Sequence, residues 1–235
     1  MKMPKRTMYI EIVALIVIAI SIITILFIFY MNNGSNPVQY SYSPITSNNG
    51  IVNSSSGLSL SLSATVAPSG SPNVVAISVS VNNTLDTYNN IAMSNAWKYP
   101  SQSLNPFDPC GAPGPIGFAI FSGYYDLSNY TKAQALDLYN MNATYMCTTM
   151  TFASDSYYSF MPHSDIAFIV PPGTQPGQVG DSYTAISISF NAIGFWSNTS
   201  EMSATFRSFP TGSYTVLGAD EWGNVVLVHL QISYA

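Results

Sequence analysis

The strongest constraint on the fold of this chain is a strict alternation of apolar and polar residues in two stretches. Residues 58–63 read Leu-Ser-Leu-Ser-Leu-Ser, and residues 77–82 read Ile-Ser-Val-Ser-Val-Asn. Successive side chains of a β-strand point to opposite faces of the sheet, so a period of two places all the apolar residues on one side. Both stretches are therefore predicted to be strands with one buried face.

Further short strands are predicted along the rest of the chain, separated by clusters of Gly, Pro, Asn and Ser. About eight or nine such strands, without regular intervening helices, indicate an all-β, Ig-like antiparallel β-sandwich rather than a βαβ fold. The additional strands are 116–121, 158–161, 166–170, 183–190, 202–206, 214–217 and 225–232. One short helix is predicted at Thr131–Tyr139, where Thr131 can cap the N-terminus and alanine and leucine favour the helical state.

The last part of the chain carries the clearest local signal, a β-hairpin. Its strands are residues 213–217 and 225–232, and residues 218–224 are predicted to form a turn of six or seven residues. In the second strand the even-numbered residues from Val226 to Ile232 make one apolar face. His229 and Gln231 then lie on the other face.

The N-terminal part of the chain contains an uncharged apolar run at residues 12–31. At a rise of about 1.5 Å per residue, a helix of this length spans about 30 Å, the hydrocarbon thickness of a bilayer. A cleaved secretory signal is the alternative, but its apolar region is normally only about 7–15 residues long. The sequence favours an uncleaved transmembrane signal anchor at 12–31.

Flanking charges predict the orientation of this helix. Lys2, Lys5 and Arg6 precede it, and the next basic residue is Lys98, so the leader 1–11 is expected in the cytoplasm. Residues 32–57, rich in Asn, Ser and Gly, are predicted to be a flexible linker. Residues 58–235 then form an extracellular domain, and the chain is expected at the cell membrane with the lipid bilayer as its first partner.

The charge of the chain excludes one class of partner and suggests a habitat. Six basic residues and a formal net charge of −5 cannot supply the basic surface that nucleic-acid binding requires. A surface of hydroxyls and amides keeps its character at low pH, where most carboxylates are protonated. We therefore expect an acidic environment outside the cell.

Two cysteines, Cys110 and Cys147, are both predicted to lie on the oxidising side of the membrane. A disulfide between them is the preferred interpretation, and in the chain-entropy model it would stabilise the fold by about 3.5–4 kcal/mol. The alternative is a cupredoxin-type copper site that combines one cysteine with His163, His229 and a methionine. The sequence lacks the close grouping of Cys, His and Met that such sites usually have, so no metal or other cofactor is expected.

The remaining titratable residues give no catalytic pattern. Asp220 and Glu221 are adjacent, so they would point to opposite sides of an extended chain and are expected on a turn rather than as an acid/base pair. His163 could pair with Asp165, with Ser164 completing the residue types of a triad, but neighbours in a chain do not form one. No nucleotide-binding, zinc-protease or EF-hand motif occurs, and no enzymatic activity is expected.

Asn-x-Ser/Thr sequons predict N-glycosylation of the outer segment. The sequon at Asn33 is disfavoured by its closeness to the membrane. The expected sites are Asn53, Asn82, Asn129, Asn142 and Asn198.

Several segments together carry a resemblance to a group of archaeal proteins. They are Asn83 to Asn90, Asp108-Pro109-Cys110-Gly111, Gly117 to Tyr125, Gly212 to Val216, and Gly218 to Gly223 with its Asp-Glu-Trp-Gly block. In these the chain resembles uncharacterised membrane-anchored extracytoplasmic proteins of thermoacidophiles such as Sulfolobales. The resemblance implies an Ig-like sandwich with Cys110 and Cys147 paired, and an acidic habitat. It implies no activity.

A weaker resemblance is to archaeal type IV pilins, which combine a short basic leader, an apolar helix and a β-domain rich in Ser, Thr and Asn. Cleavage after Arg6 would make Glu11 the fifth mature residue, although a small residue is usual where Arg6 stands. This resemblance implies self-assembly into filaments.

These observations predict a single-pass cell-surface protein whose glycosylated ectodomain acts by adhesion, through contacts with cell-envelope proteins or glycans. The first alternative is a pilin-like filament subunit. The second is an extracytoplasmic ligand-binding module.

Overall fold

The computed structural model describes residues 47–67, 74–106, 114–139, 156–175, 182–198 and 204–233, all within one compact unit. These residues form antiparallel sheets with only two short 3-10 turns, Ser101–Ser103 and Tyr130–Lys132. The strands are β1 (Ser47–Asn53), β2 (Leu58–Ala67), β3 (Val74–Asn83), β4 (Asn89–Ala92), β5 (Ile116–Ser122), β6 (Tyr157–Phe160), β7 (Ile166–Val170), β8 (Ser182–Ala185), β9 (Ser187–Ala192), β10 (Phe195–Asn198), β11 (Ala204–Arg207), β12 (Gly212–Asp220) and β13 (Val225–Ile232). The prediction of an all-β fold with antiparallel sheets is confirmed.

Three sheets and a hairpin organise these strands. The front sheet has the order β1-β2-β3-β9, the rear sheet β13-β12-β5, and the third sheet β4-β6-β7-β8, while β10 and β11 form a hairpin. Inward side chains of all three sheets share one hydrophobic core, which includes Leu60 and Val79 of the front sheet, Phe118 and Val228 of the rear sheet, and Phe160 of the third. Burial of each large apolar side chain contributes about 1.5–3 kcal/mol.

A close approach of the front and rear sheets depends on one glycine. A side chain at Gly50 in β1 would place its Cβ 2.5 Å from a methyl carbon of Val226 in β13. The strand that contains Gly50, residues 47–53, is paired with β2 along its whole length. The sequence assigns these residues to the linker. The linker prediction is wrong for this part, and residues 32–46 lie outside the described residues.

One strand passes from the third sheet to the front sheet. β8 pairs with β7, and β9 pairs with β3, with only Ile186 between β8 and β9. The Ile186 backbone N–H donates to Asp165 O (2.7 Å), and its carbonyl accepts from Val81 N (3.0 Å), so this residue bonds to both sheets. Strands that change sheet at such a break are typical of packed β-sheets with corners.

The predicted helix at 131–139 is wrong. The 3-10 turn at 130–132 ends at Ala133, and the chain then runs beside β5, where Leu136 N donates to Ile120 O (2.8 Å). Asp137 O in turn accepts from Trp196 N of β10 (2.7 Å). Backbone bonds to neighbouring strands thus override the modest helix propensity of alanine and leucine.

The outer face of the rear sheet is covered by two loop segments, residues 97–104 and 123–135, here called the cover. Tyr99 of the first segment packs on Phe121 of β5 with ring centroids 5.3 Å apart, and its hydroxyl donates to Ala133 O of the second segment (2.9 Å). Leu217 of β12 is fully buried beneath this layer. Most of β5 and β12 is therefore buried on both faces.

Candidate functional site

The outer face of the front sheet is a continuous surface of hydroxyl and amide groups, here called the hydroxyl face. The strand register aligns its side chains in rows: Ile51, Ser61 and Ser80 form one row, and Ser63 and Ser78 stand side by side in the next. No member carries a charge. The members are Asn49, Ile51 and Asn53 of β1; Ser59, Ser61, Ser63 and Thr65 of β2; Ala76, Ser78, Ser80 and Asn82 of β3; and Ser187, Ser189 and Asn191 of β9.

Sheet geometry sets the spacing of these groups. Neighbouring strands lie about 4.8 Å apart, and every second residue of a strand recurs after about 6.5–7 Å. Some members bond to one another: the hydroxyls of Ser61 and Ser80 are 2.8 Å apart, and the Asn82 amide donates to the Ser80 hydroxyl (3.2 Å). Because the hydroxyl groups can donate and accept, the face offers a lattice of neutral hydrogen-bonding groups.

A shallow depression of about 250 Å³ lies in this face, and Ala76, Ile77 and Phe190 are its apolar lining residues. Ser63, Thr65 and Ser78 border it from β2 and β3, and Ser189 and Asn191 border it from β9. Ala76 pairs directly with Thr65 and with Asn191, both of which have longer side chains. The depression therefore follows from one missing side chain within a row of larger ones.

Two predicted glycosylation sites stand at one end of the hydroxyl face. Asn53 and Asn82 flank Ser59 in a single row, with Asn53 exposed and Asn82 half-buried. Asn129 lies beside the second 3-10 turn, and its side-chain oxygen accepts from Asp126 N (2.8 Å). Asn198 ends β10. Asn142 lies outside the described residues, as does the disfavoured Asn33.

The predicted hairpin is confirmed, with a shorter turn than expected. Gly218, Ala219 and Asp220 belong to β12, so the turn comprises only residues 221–224. The even-numbered residues from Val226 to Ile232 face the core as predicted. Gly223 has a φ of 88°, and a Cβ there would lie 3.1 Å from Ala96 O, so this turn needs glycine for both its conformation and its contact.

Asp220 and Glu221 lie at the start of the hairpin turn, as predicted, and both side chains are buried there. Asp220 closes the turn by accepting from Trp222 N (3.0 Å) and Asn224 N (2.8 Å), while its second oxygen accepts from the Asn224 amide (2.7 Å). Burial raises the pKa of Asp220 above its ordinary value, although these bonds and the Lys98 charge oppose the shift. An aspartate that bonds to backbone two residues later is a recognisable turn signal in the sequence.

Glu221 connects the hairpin turn to the segment that leads from β4 into the cover. Its carboxylate accepts from Ser94 N (3.1 Å), and its backbone carbonyl accepts from Ala96 N (2.9 Å). The neighbouring Trp222 donates its indole N–H to Ala92 O (2.9 Å). Burial, with a smaller contribution from the adjacent Asp220 charge, raises the pKa of the Glu221 carboxyl to about 7, although the hydrogen bond from Ser94 N opposes the shift. Asp220 therefore closes the hairpin turn, and Glu221 fastens that turn to the segment that leads into the cover.

The two histidines have different neighbours. His163 lies in the turn between β6 and β7, and its Nε2 is 2.6 Å from Oδ1 of Asp86. His229 lies on the outward side of β13, as predicted, with its ring stacked on Tyr124 at 4.1 Å and its Nε2 2.8 Å from Tyr125 O. The structure does not bring the two residues to one site.

A groove of about 530 Å³ opens between the two segments of the cover and the extended stretch that follows them. Lys132 and Asp137 are its charged residues, and Gln102, Ser103 and Gln134 are among its polar ones. Burial raises the pKa of Asp137. This groove and the depression in the hydroxyl face are both concave surfaces formed by residues that the structure describes.

Within the part of the chain that the structure describes, no group of three or more His, Cys, Asp or Glu side chains is arranged to hold a metal ion. Cys110 and Cys147 lie outside that part. Among the helical segments of the described ranges, none has the length and apolar character needed to cross a membrane.

Comparison of the chain with protein-family models, with curated proteins and with solved structures gives no match.

Proposed function

We propose that the chain is a single-pass membrane-anchored cell-surface protein whose Ig-like, glycosylated β-sandwich ectodomain acts by adhesion. In this proposal residues 12–31 hold the protein in the membrane and the leader 1–11 stays in the cytoplasm. The hydroxyl face makes the functional contact. Catalysis is not part of the proposed role.

The hydroxyl face is the observation that carries this proposal. It extends over four strands, faces outward, and contains no charged side chain. Antiparallel sheets commonly pack one face on the core and leave the other to solvent, but ordinary solvent-facing surfaces are rich in Lys, Glu, Asp and Arg. A large neutral polar face suits repeated, weak contacts with another surface.

An acidic environment is supported by the buried acids of the hairpin turn. Glu221 has a pKa of about 7 and is therefore neutral well below pH 7. A neutral carboxyl avoids the desolvation penalty of a buried charge. The hydroxyl face, which contains no titratable group, keeps its hydrogen-bonding character in the same conditions. Both features fit an ectodomain that works outside the cell at low pH.

The proposal includes a disulfide between Cys110 and Cys147, because thiols oxidise outside the cell. Both cysteines lie outside the described residues.

A two-part experiment tests the proposal with the full-length protein in its own membrane. Protease added to intact cells should digest the ectodomain, and cells that display the chain should adhere to one another more than cells that lack it. The variant Ser78→Arg with Ser189→Arg, which places two charges on the hydroxyl face, should lose this adhesion. Gln134→Arg, an exposed residue of the groove, is the matched control.

Each failed outcome has a distinct meaning. An ectodomain protected in intact cells but digested after lysis would contradict the proposed location. Adhesion unchanged by the double variant would contradict the proposed contact surface. Mature protein that begins at Thr7 and is released as filaments by shearing would favour the pilin-like alternative.

A further inference from the structure

The composition of the hydroxyl face limits the chemistry of its partner. Protein–protein interfaces are enriched at their centres in Tyr, Trp, Phe, Met and Arg, and depleted in Ser and Ala. The hydroxyl face has the opposite composition, with Ile51 as its single large apolar side chain. It also offers no cation for a phosphate, sulfate or carboxylate. A protein or an acidic polymer is therefore a poor match.

The depression that includes Ala76 gives this face a place where a ligand can be recognised. Its polar lining residues are Ser63, Thr65 and Ser78 on one side and Ser189 and Asn191 on the other, and Ala76, Ile77 and Phe190 contribute apolar atoms. Neutral groups that donate and accept on both walls suit a ligand that itself carries several hydroxyls. A volume of about 250 Å³ accommodates a small ring with its substituents rather than a folded surface.

We propose that the depression of the hydroxyl face binds a neutral polyhydroxylated ligand, namely an uncharged glycan, with one sugar ring seated over Ala76. This inference rests on the proposed adhesive function and names the partner of its contact surface. The rows next to the depression, which contain Ser61 and Ser80, then contact the neighbouring sugars of the same chain.

The geometry separates this site from the protein's own proposed glycans. Asn53 and Asn82 lie in the first row of the face, whereas the depression lies in the third and fourth rows. At about 6.5–7 Å between rows, the separation is about 13–21 Å. Glycans at the two asparagines would therefore be attached at the margin of the face, away from the depression.

Binding of soluble neutral polysaccharides to full-length protein in detergent micelles tests this inference. A mannan, a glucan and a galactan serve as probes, with hyaluronate as the acidic comparison. We expect at least one neutral polymer to bind, hyaluronate not to bind, and the affinity for the neutral polymer to change less than about twofold between low and high salt. Ala76→Tyr, which fills the depression with a residue suited to strands, should weaken binding at least about tenfold.

Asn191→Ala removes an amide from the wall without filling the space, and should weaken binding about fivefold, the usual effect of one hydrogen bond. Gln134→Tyr places the same ring as Ala76→Tyr in the groove instead, and should bind as the wild type does. Thermal melting of each variant identifies any that fail to fold, and the Asn191 variant tests the proposal if the Ala76 variant is one of them.

The possible results separate this inference from the function on which it rests. Binding of hyaluronate alone, or equal binding by Ala76→Tyr and wild type, overturns the glycan site. Adhesion that is lost in the charged double variant, without any binding of neutral polysaccharide, overturns the glycan site and leaves the adhesive function in place. Adhesion and polysaccharide binding that both survive changes to the face overturn the two proposals together.

Discussion

The two outer faces of the packed sheets differ completely in what covers them. The front sheet presents the hydroxyl face directly to its surroundings, whereas the rear sheet lies beneath the cover. Phe121 and Thr215 on the covered face are fully buried, while Ser78 and Ile51 on the open face are exposed. The same backbone geometry thus supports one surface that contributes to stability and one that is available for contact.

The sequence pattern of each strand follows from this difference. β2 alternates between buried leucines and outward serines and threonine, because only one of its faces is covered. β5 reads Ile-Gly-Phe-Ala-Ile-Phe-Ser, with every residue but the last buried, because both its faces are covered. Alternation therefore marks the open face, and a continuous apolar run marks the covered one.

The largest loss of stability is expected for Phe121→Ala, which removes a packed ring from the covered face of the rear sheet. Phe121 is fully buried and packs on Tyr99 and on Tyr125 with ring centroids 5.3 and 5.7 Å away. Its truncation should lower the free energy of unfolding by about 3–5 kcal/mol. Ile51→Ala on the open face, where the side chain is 67% exposed, should change it by less than about 0.5 kcal/mol.

Denaturant unfolding of both variants measures these values. Equal losses of unfolding free energy for Phe121→Ala and Ile51→Ala would contradict the difference in coverage between the two outer faces.

A second prediction concerns pH and the attachment of the cover. The pKa of Glu221 is raised from its ordinary value of 4.5 to about 7 in the folded chain, so the folded state binds its proton more tightly than the unfolded state. The stability from this group is complete below about pH 4.5 and is lost as the pH rises to about 7. Its loss should amount to about 3 kcal/mol.

Unfolding measured across this pH range in wild type and in Glu221→Gln isolates the contribution of the carboxyl. The glutamine keeps an acceptor for Ser94 N and does not ionise, so the variant should lack this part of the pH dependence. Parallel pH profiles for the two proteins would contradict the assignment. After correction for the intrinsic rise of amide exchange with pH, the protection of residues 94–96 should fall with pH in the wild type and stay constant in Glu221→Gln.

The third prediction removes one hydroxyl from the covered face. Thr215 is fully buried, and its hydroxyl donates to Gly123 O (2.9 Å) and accepts from Tyr125 N (3.0 Å), which connects β12 to the second segment of the cover. Thr215→Val keeps the shape of the side chain and leaves both backbone groups without this partner. The free energy of unfolding should fall by about 1–3 kcal/mol, as measured by urea titration.

Much of the fold could be predicted from local pattern. The alternation at 58–63 and 77–82 correctly located β2 and β3, and the C-terminal hairpin was evident from its apolar face. β1 could not be predicted because its sequence, Ser-Asn-Asn-Gly-Ile-Val-Asn, has the composition of a loop. It forms a strand because β2 offers a free edge and Gly50 allows the rear sheet to approach.

The prediction of a helix was wrong, and the burial of the two acids could not be predicted, for a related reason. Residues 131–139 have helix-favouring residues, but their backbone groups bond to β5 and β10, which are distant in sequence. Asp220 and Glu221 are buried because the segment around Ser94 passes over the turn. In both places a long-range neighbour decides the structure. The polar side of β2 and β3 could be predicted from the sequence, because it is the polar half of the alternation. The extension of the hydroxyl face over β1 and β9 could not, because it depends on the strand register.

The smallest change in the free energy of unfolding is expected for a threonine-to-valine substitution on the open face. Thr65 points outward from β2 at the border of the depression, and Thr65→Val removes the same hydroxyl as Thr215→Val does on the covered face. Water can satisfy groups next to an open surface, and valine is well suited to strands, so the free energy of unfolding should change by less than about 0.5 kcal/mol. The pair of variants, measured in one urea titration series, compares a single chemical change on the two faces. A loss at Thr65 as large as that at Thr215 would mean that the front sheet is also covered in the folded protein, and that its serines are structural rather than available for contact.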